Sequence, residues 1–409
     1  MEMHTNNSEW QYRWQRFNVF AVSLLAVSVS LGVAVVSIAK VLLLVAVLGQ
    51  LFLDLKNRSL PAFSCWPHTT WWIVLAMLWM SLTGFWSEAS TSDAWAGWGR
   101  HSRILWFLAV FYLLRKPNQA MLTLKWFVAG MTFMLLSSWA LVAGWPVPWA
   151  TAKEVPSLGI VHGSTLEQPI LLTLLAVVLW FMRDQWPQGR WRWIPISILL
   201  LTVTNVFFVM TGRSGFLVML TFIFLAVWWK LPPKWRWTAI GVPFVLAALL
   251  MVVSPRFNQR THEINSDVKS YRMGSIETSQ AQRLDYWHRS VLALAEKPVL
   301  GHGVGSWRLN YERLGGLQAN PPSNPHEQYL LWAVEAGGLG LLLFVGILFS
   351  HYRDARVLTS NAKQALWTIT TIAAVMGLMN CPYFGAGMGE CLVYLAACLL
   401  ALRPPSQAR

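Results

Sequence analysis

Apolar runs follow one another along nearly the whole chain, at residues 17–37, 40–55, 71–87, 102–115, 121–145, 166–182, 194–211, 215–229, 237–253, 328–350, 364–380 and 384–402. A helix needs roughly 20 apolar residues to cross a bilayer. The pattern therefore predicts an all-α integral membrane protein with about 12 transmembrane helices. Composition agrees: 55% of residues are hydrophobic, mean hydropathy is +0.44 and only 12% are charged, against about 25% charged in soluble domains. No low-complexity linker or internal repeat divides the chain, so residues 1–409 read as a single membrane domain. Spans 1 to 9 lie within 17–253, a large hydrophilic island occupies 254–325, and spans 10 to 12 lie within 328–402.

Lys and Arg set the orientation. Arg13, Arg16, Lys56, Arg58, Arg115, Lys116, Arg183, Arg190, Arg192, Lys230, Lys234, Arg236, Arg353, Arg356, Lys363, Arg403 and Arg409 fall in alternate connections, which places both termini in the cytoplasm. The net charge of +14 is then mostly a topology signal, with attraction to anionic membrane lipid. No basic run is long enough to point to nucleic acid. The polar stretch Met1–Arg16, followed by a long apolar span, reads as an uncleaved signal anchor. Cys65, Cys381, Cys391 and Cys398 show neither metal-ligand spacing nor a disulfide framework.

Three segments lie outside the membrane in this topology: Trp86–His101, Trp145–Glu167 and the island. Within the island, Ser279-Gln-Ala-Gln282 fits a capping box with Ser279 as the N-cap. Leu284, Trp287, Val291 and Leu294 then recur at helical spacing, and Pro298 and Gly301 end the helix. Arg283 stands four residues before Trp287, so both share a face.

Two places are suited to chemistry. Thr211-Gly-Arg-Ser-Gly215 joins two spans with almost no loop. Arg213 there is costly unless partnered or wet, and its fork suits phosphate. Gly212 and Gly215 would admit a ligand to the backbone, and the following helix N-terminus would offer anion-binding amides. A snorkelling Arg at a helix turn is the bland alternative. The second place is His326, at the start of the next long span, where a helix N-terminus favours the neutral, basic imidazole; a capping or interfacial His is its alternative. Arg213, Arg283 and His326 fall on one face of the membrane under the charge-derived topology, which makes a group-transfer site coherent.

Gly301-His-Gly-Val-Gly-Ser306 lacks the third glycine and the strand of a dinucleotide motif, and His326-Glu327 is not followed by the second His of a zinc helix. Neither a metal site nor a cofactor is expected; Glu88 and Asp93 in the first sizeable outer loop could hold a divalent cation, but the two arginines already supply the positive charge that a metal would supply.

Taken together, the dozen spans, the Arg-Ser-Gly turn, the large loop with Gly-x-Gly, and Pro325-His-Glu-Gln-Tyr-Leu330 opening a helix resemble the bacterial O-antigen ligase/polymerase superfamily, and within it the lipopolysaccharide O-antigen ligases. The resemblance implies a GT-C-like fold with one large helical periplasmic loop. It implies transfer of O-antigen from an undecaprenyl-diphosphate-linked donor to a lipid A–core acceptor at the periplasmic face of the inner membrane, by an inverting, metal-independent mechanism. The family histidine maps onto His326 as general base and its two arginines onto Arg213 and Arg283, with Ser214 and Gly215 beside the diphosphate. Tyr286, Trp287 and Gln328 are candidates for sugar or acceptor contacts. The family histidine is often followed by Asn or Ser, where this chain has Glu327.

An O-antigen or exopolysaccharide polymerase is the nearest alternative; the brevity of 146–166 beside the island favours the ligase. A lipid-linked glycan transporter would need ionisable residues within the spans, and Lys125, Glu335 and Glu390 are the main ones.

Overall fold

The computed structural model describes residues 2–151 and 158–404, and helices are the regular elements found there. Residues 152–157 of the expected 145–167 segment, and Arg409, lie outside the described residues. In chain order the helices are α1 (Glu2–Ser28), α2 (Val33–Lys56), α3 (His68–Thr83), α4 (Thr91–His101), α5 (Trp106–Leu113), α6 (Pro117–Val142), α7 (Glu167–Phe181), α8 (Trp193–Thr204), α9 (Arg213–Lys230) and α10 (Gly241–Val253). The island folds as α11 (Pro255–Arg272), α12 (Ser279–Glu296) and α13 (Trp307–Arg313); α14 (Gln328–Asp354), α15 (Ser360–Gly377) and α16 (Met388–Leu400) follow.

All twelve apolar runs are helical in whole or in large part, giving an all-α, multi-pass membrane architecture. Seven helical segments among the described residues are long and apolar enough to cross a bilayer, and α7 and α16 are shorter apolar helices. The first two runs divide elsewhere than hydropathy suggests. The chain turns at residues 29–32 and not at 38–39: Gly32 takes φ +105°, and the Ser28 and Ser30 hydroxyls donate to the carbonyls of Leu25 (2.8 Å) and Val27 (2.6 Å). Those bonds satisfy polar groups at a break that an apolar sequence conceals. The segment 86–101, expected as a loop, is largely α4, joined to α5 by a short tighter helical turn, Ser102–Leu105.

Every residue of α16 and nearly all of α7 are buried. Helices apolar on all sides belong at the centre of a bundle, and these two form its axis, with α5, α6, α9 and α15 packed around them. Being short, 15 and 13 residues, they stop below one end of the bundle and leave a recess bordered by Glu167 and Met388.

The island is welded to the bundle at a break in α14. Gly337 sits at φ +68° inside that helix, which frees carbonyls of the preceding turn. Residues 298–303 cross there: the His302 amide donates to Val334 O (2.8 Å), the Gly303 amide to Glu335 O (2.9 Å), and the Gly338 amide to Pro298 O (2.8 Å). Gly303 itself takes φ +91°, and a Cβ on it would lie 2.2 Å from Ser87 Cα. The Gly301-His-Gly-Val-Gly motif thus serves close backbone contact.

Glu88 clamps the same junction. It accepts from Asn310 Nδ2 (3.0 Å), contacts His302 Nδ1 at 2.8 Å and pairs with Lys297 at 2.5 Å. Burial alone would raise its carboxyl, but Lys297, Asn310 and His302 together bring it down to about 2. Asp93 instead faces Ser90, whose hydroxyl is 2.7 Å from its carboxylate and accepts its backbone amide. In α12 the cap lies one residue earlier than the capping-box pattern suggested: Thr278 is the N-cap and accepts the Ala281 amide at 3.2 Å.

Candidate active site

His326 lies in a short, over-determined loop. Its backbone occupies the left-handed region at φ +52°, an arrangement that costs a non-glycine residue of order 1–3 kcal/mol and persists only when its neighbours enforce it. Three contacts do so. The Asn324 side chain accepts the His326 amide at 2.9 Å, the Trp287 indole donates to Pro325 O at 3.2 Å, and Glu327 caps α14 by accepting the Leu330 amide. The face of α12 that carries Arg283 and Trp287 is therefore turned toward this loop.

The imidazole is half-buried. Its Nδ1 is 3.4 Å from Asn380 Oδ1, and that oxygen also accepts the Cys381 amide at 2.9 Å. The second bond identifies the Asn380 atom as the acceptor. Nδ1 then carries the proton, and Nε2 is left with the lone pair that a general base needs. Burial, then the charge of Arg283, holds the imidazole below its ordinary value, opposed by Asn380. The neutral, basic form is favoured. Next to it, burial pushes the Glu327 carboxyl up to about 7 against the backbone amides of Leu330 and Tyr329.

Arg283 is 7% exposed. Among the described residues it makes no hydrogen bond or ion pair, although Arg213, Cys381 and Tyr286 act on it electrostatically and its own charge acts on His326. Burial first, and Arg213 second, make its cationic form less comfortable than usual. A buried cation of this kind calls for an anion. Arg213, the first residue of α9, is held by Glu263 of α11 at 2.9 Å. Gly212 and Gly215 do not open onto free space: Cβ atoms there would lie 2.2 Å from Thr165 O and 2.5 Å from Pro169 Cβ. These glycines let α9 approach the start of α7. Ser214 is 2% exposed.

Of the remaining candidates, Tyr286 is enclosed by Trp307 and Tyr311, with ring centroids at 5.6 and 5.3 Å, and its hydroxyl donates to Gln318. Its ring lies 6.1 Å from that of His326. Gln328 is fully buried and accepts the Tyr383 amide at 3.1 Å. Trp287 is half-buried and braces Pro325. His326, Arg283 and Arg213 thus share one electrostatic neighbourhood, while Tyr286, Trp287 and Gln328 are engaged in shaping its walls.

Sequence reasoning missed the other side of the site. A cavity of about 310 Å³ is lined by His326 together with Arg100, Arg103, Glu167, Asn324 and Asn380, among others. Arg103 pairs with Glu390 at 3.4 Å, and Glu390 pairs with Lys40 at 3.0 Å. His101, between the two arginines, is buried against Glu335 at 2.9 Å. Two of the three ionisable span residues noted above, Glu335 and Glu390, are therefore taken up in this framework.

Residues 198–345 match the model of the O-antigen ligase family. Among curated proteins, a "Putative polysaccharide ligase" of Rickettsia conorii is 25% identical over 164 residues, covering 38% of this chain and 36% of that protein. Proteins of the same description from Rickettsia prowazekii and Rickettsia felis are 23% identical over 210 residues and 24% over 163 residues. These matches support assigning the chain to the O-antigen ligase superfamily. The chain spans 36%, 50% and 39% of the three relatives' lengths. The matched family segment contains Arg213, Arg283 and His326 and excludes Arg100, Arg103 and Asn380.

Proposed function

We propose that this chain is a lipid-linked glycan transferase of the bacterial inner membrane, an O-antigen ligase with its site facing the periplasm and both termini in the cytoplasm. It would move O-antigen polysaccharide from undecaprenyl diphosphate to lipid A–core in a GT-C-like framework. The observation that carries this reading is a buried Arg283 without a counter-ion among the described residues, acting on a half-buried His326 whose neutral form is favoured. Superfamily membership supplies the class of chemistry.

In this reading the acceptor hydroxyl attacks the anomeric carbon and gives its proton to His326 Nε2. The bond from that carbon to the diphosphate oxygen breaks, with inversion, and the electron pair leaves on the diphosphate. Arg283, with Arg213, offsets the charge that grows there, so the reaction needs no metal. Stabilising charge where it develops is often the largest single contribution to catalysis. Positive-inside loops support the orientation.

Purified protein would be given an undecaprenyl-diphosphate glycan with and without lipid A–core, in EDTA, beside His326→Asn. Transfer only when lipid A–core is present, and lost in the variant, is the expected result. Glycan growth without lipid A–core would replace the reading with a polymerase, and no transfer in any mixture would overturn it.

A further inference from the structure

We propose that Arg100 is a phosphate-binding residue of this site, acting alongside Arg283 and lying outside the matched family segment. The inference rests on the transferase reading above.

Arg100 and Arg103 sit one turn apart and both line the cavity that holds His326. Their surroundings differ. Arg103 pairs with Glu390 and donates to Phe384 O, and Glu167 also faces Arg103 across the cavity. Lys40 and Arg103 are thereby balanced by Glu390 and Glu167. Arg100 is left over: among the described residues it has no hydrogen bond or ion pair, and its guanidinium lies 5.2 Å from the centre of the Phe384 ring. An aromatic face orients a guanidinium without neutralising it.

The mounting is rigid. Ser90 caps α4 by accepting the Asp93 amide at 3.1 Å, and His101 is fixed by Glu335. Gly97 brings α4 against the glycine-rich turn, where a Cβ would meet Gly305 Cα at 2.8 Å. A rigidly held, unneutralised guanidinium in a cavity with the candidate base suits a ligand that brings its own negative charge, and its fork matches phosphate oxygens. The demand exists. A glycan-linked lipid diphosphate carries two negative charges and gains a third as the sugar leaves, while Arg213 is already shared with Glu263.

The phosphate can belong to the donor's diphosphate or to a phosphorylated acceptor, and one experiment separates the two. Full-length Arg100→Gln and Arg100→Lys would be compared with the parent protein for kcat and for KM toward each substrate. Binding would be followed separately by the shift in unfolding temperature on adding glycan-free undecaprenyl diphosphate or phosphorylated lipid A–core. Arg100→Gln is expected to raise one KM at least tenfold and to abolish the matching shift, with Arg100→Lys recovering part of both. A raised donor KM assigns the diphosphate; a raised acceptor KM that disappears with dephosphorylated acceptor assigns the acceptor phosphate. Both KM values within twofold of the parent, or shifts that persist in Arg100→Gln, would overturn the proposal. If the parent protein transfers no glycan, the transferase reading fails on its own, while the binding shifts still test Arg100. If Arg100→Gln does not fold, Arg100→Lys decides, since full parental affinity there would remove the need for a guanidinium fork.

Discussion

Asn380 Oδ1 faces His326 Nδ1 at 3.4 Å while accepting the backbone amide of Cys381 at 2.9 Å. The amide oxygen therefore selects the imidazole tautomer from a position that its own backbone bond secures. Asn380→Ala should lower kcat by about tenfold, the equivalent of one hydrogen bond of about 1.4 kcal/mol, with substrate KM little changed. A steady-state comparison with the parent tests this; equal kcat values would remove Asn380 from the tautomer argument.

His326 acts in its neutral form, and burial and Arg283 both disfavour protonation. Activity should therefore persist as pH falls below 6.5 and decline only through a lower apparent pKa in kcat/KM. Arg283→Gln removes the repelling charge, so the acid limb of its residual activity should move to higher pH than the parent's. A limb that stays in place would mean that Arg283 does not act on the imidazole.

The left-handed backbone of His326 makes alanine a poor test of its chemistry, because strain and loss of function would be mixed. Asn tolerates that region. His326→Asn should unfold at or above the parental temperature while transfer falls by about 10²–10⁴, the usual contribution of a general base. Thermal unfolding and turnover measured on one preparation separate the two effects.

Gly303→Ala would push a methyl group to within 2.2 Å of the Ser87 backbone at a residue with φ +91°. A loss of at least about 2 kcal/mol of stability is expected, since the clash is with main chain and cannot be relieved by a rotamer. Size-exclusion behaviour and unfolding temperature report it.

Glu88 titrates near 2, below its ordinary 4.5. A carboxyl depressed in the folded state stabilises the fold above pH 4.5, and that contribution disappears as pH falls toward 2. Glu88→Gln should therefore unfold at lower temperature than the parent at pH 7, with the gap narrowing between pH 4.5 and 2. A gap independent of pH would show that the Lys297, His302 and Asn310 contacts are not charge-dependent.

Hydropathy made the helices legible because burial in lipid imposes a simple requirement on composition. It failed at Ser28–Gly32, where serine hydroxyls close the break locally and leave the apolar run unbroken. His326, Arg213 and Arg283 stood out as costly residues beside apolar spans. Arg100 and Arg103 did not, because basic residues around the start of an apolar run resemble ordinary flanking charge. The signal for Arg100 was the amphipathic pattern of α4, with Trp95 and Trp98 on one side and Arg100 on the other, and Arg103 follows in the next turn. Asn380 left no trace, since a neutral amide between two apolar runs acquires meaning only when α15 and α16 bring it to His326. Glu263, which engages Arg213, was equally hidden among the charges of the island.

The junction at Gly337 gives the site a birth order. The turn at 298–303 leaves the ribosome before residues 334–338, yet the amides of His302 and Gly303 find their acceptors only there. Until that strip of α14 is threaded beside it, His302 and Gly303 lack their acceptors. Asn380, the companion of His326, arrives later still. The nascent chain can thus insert most of its helices with an unassembled catalytic apparatus, and competence to handle a charged lipid substrate is delayed until the last helices are in place.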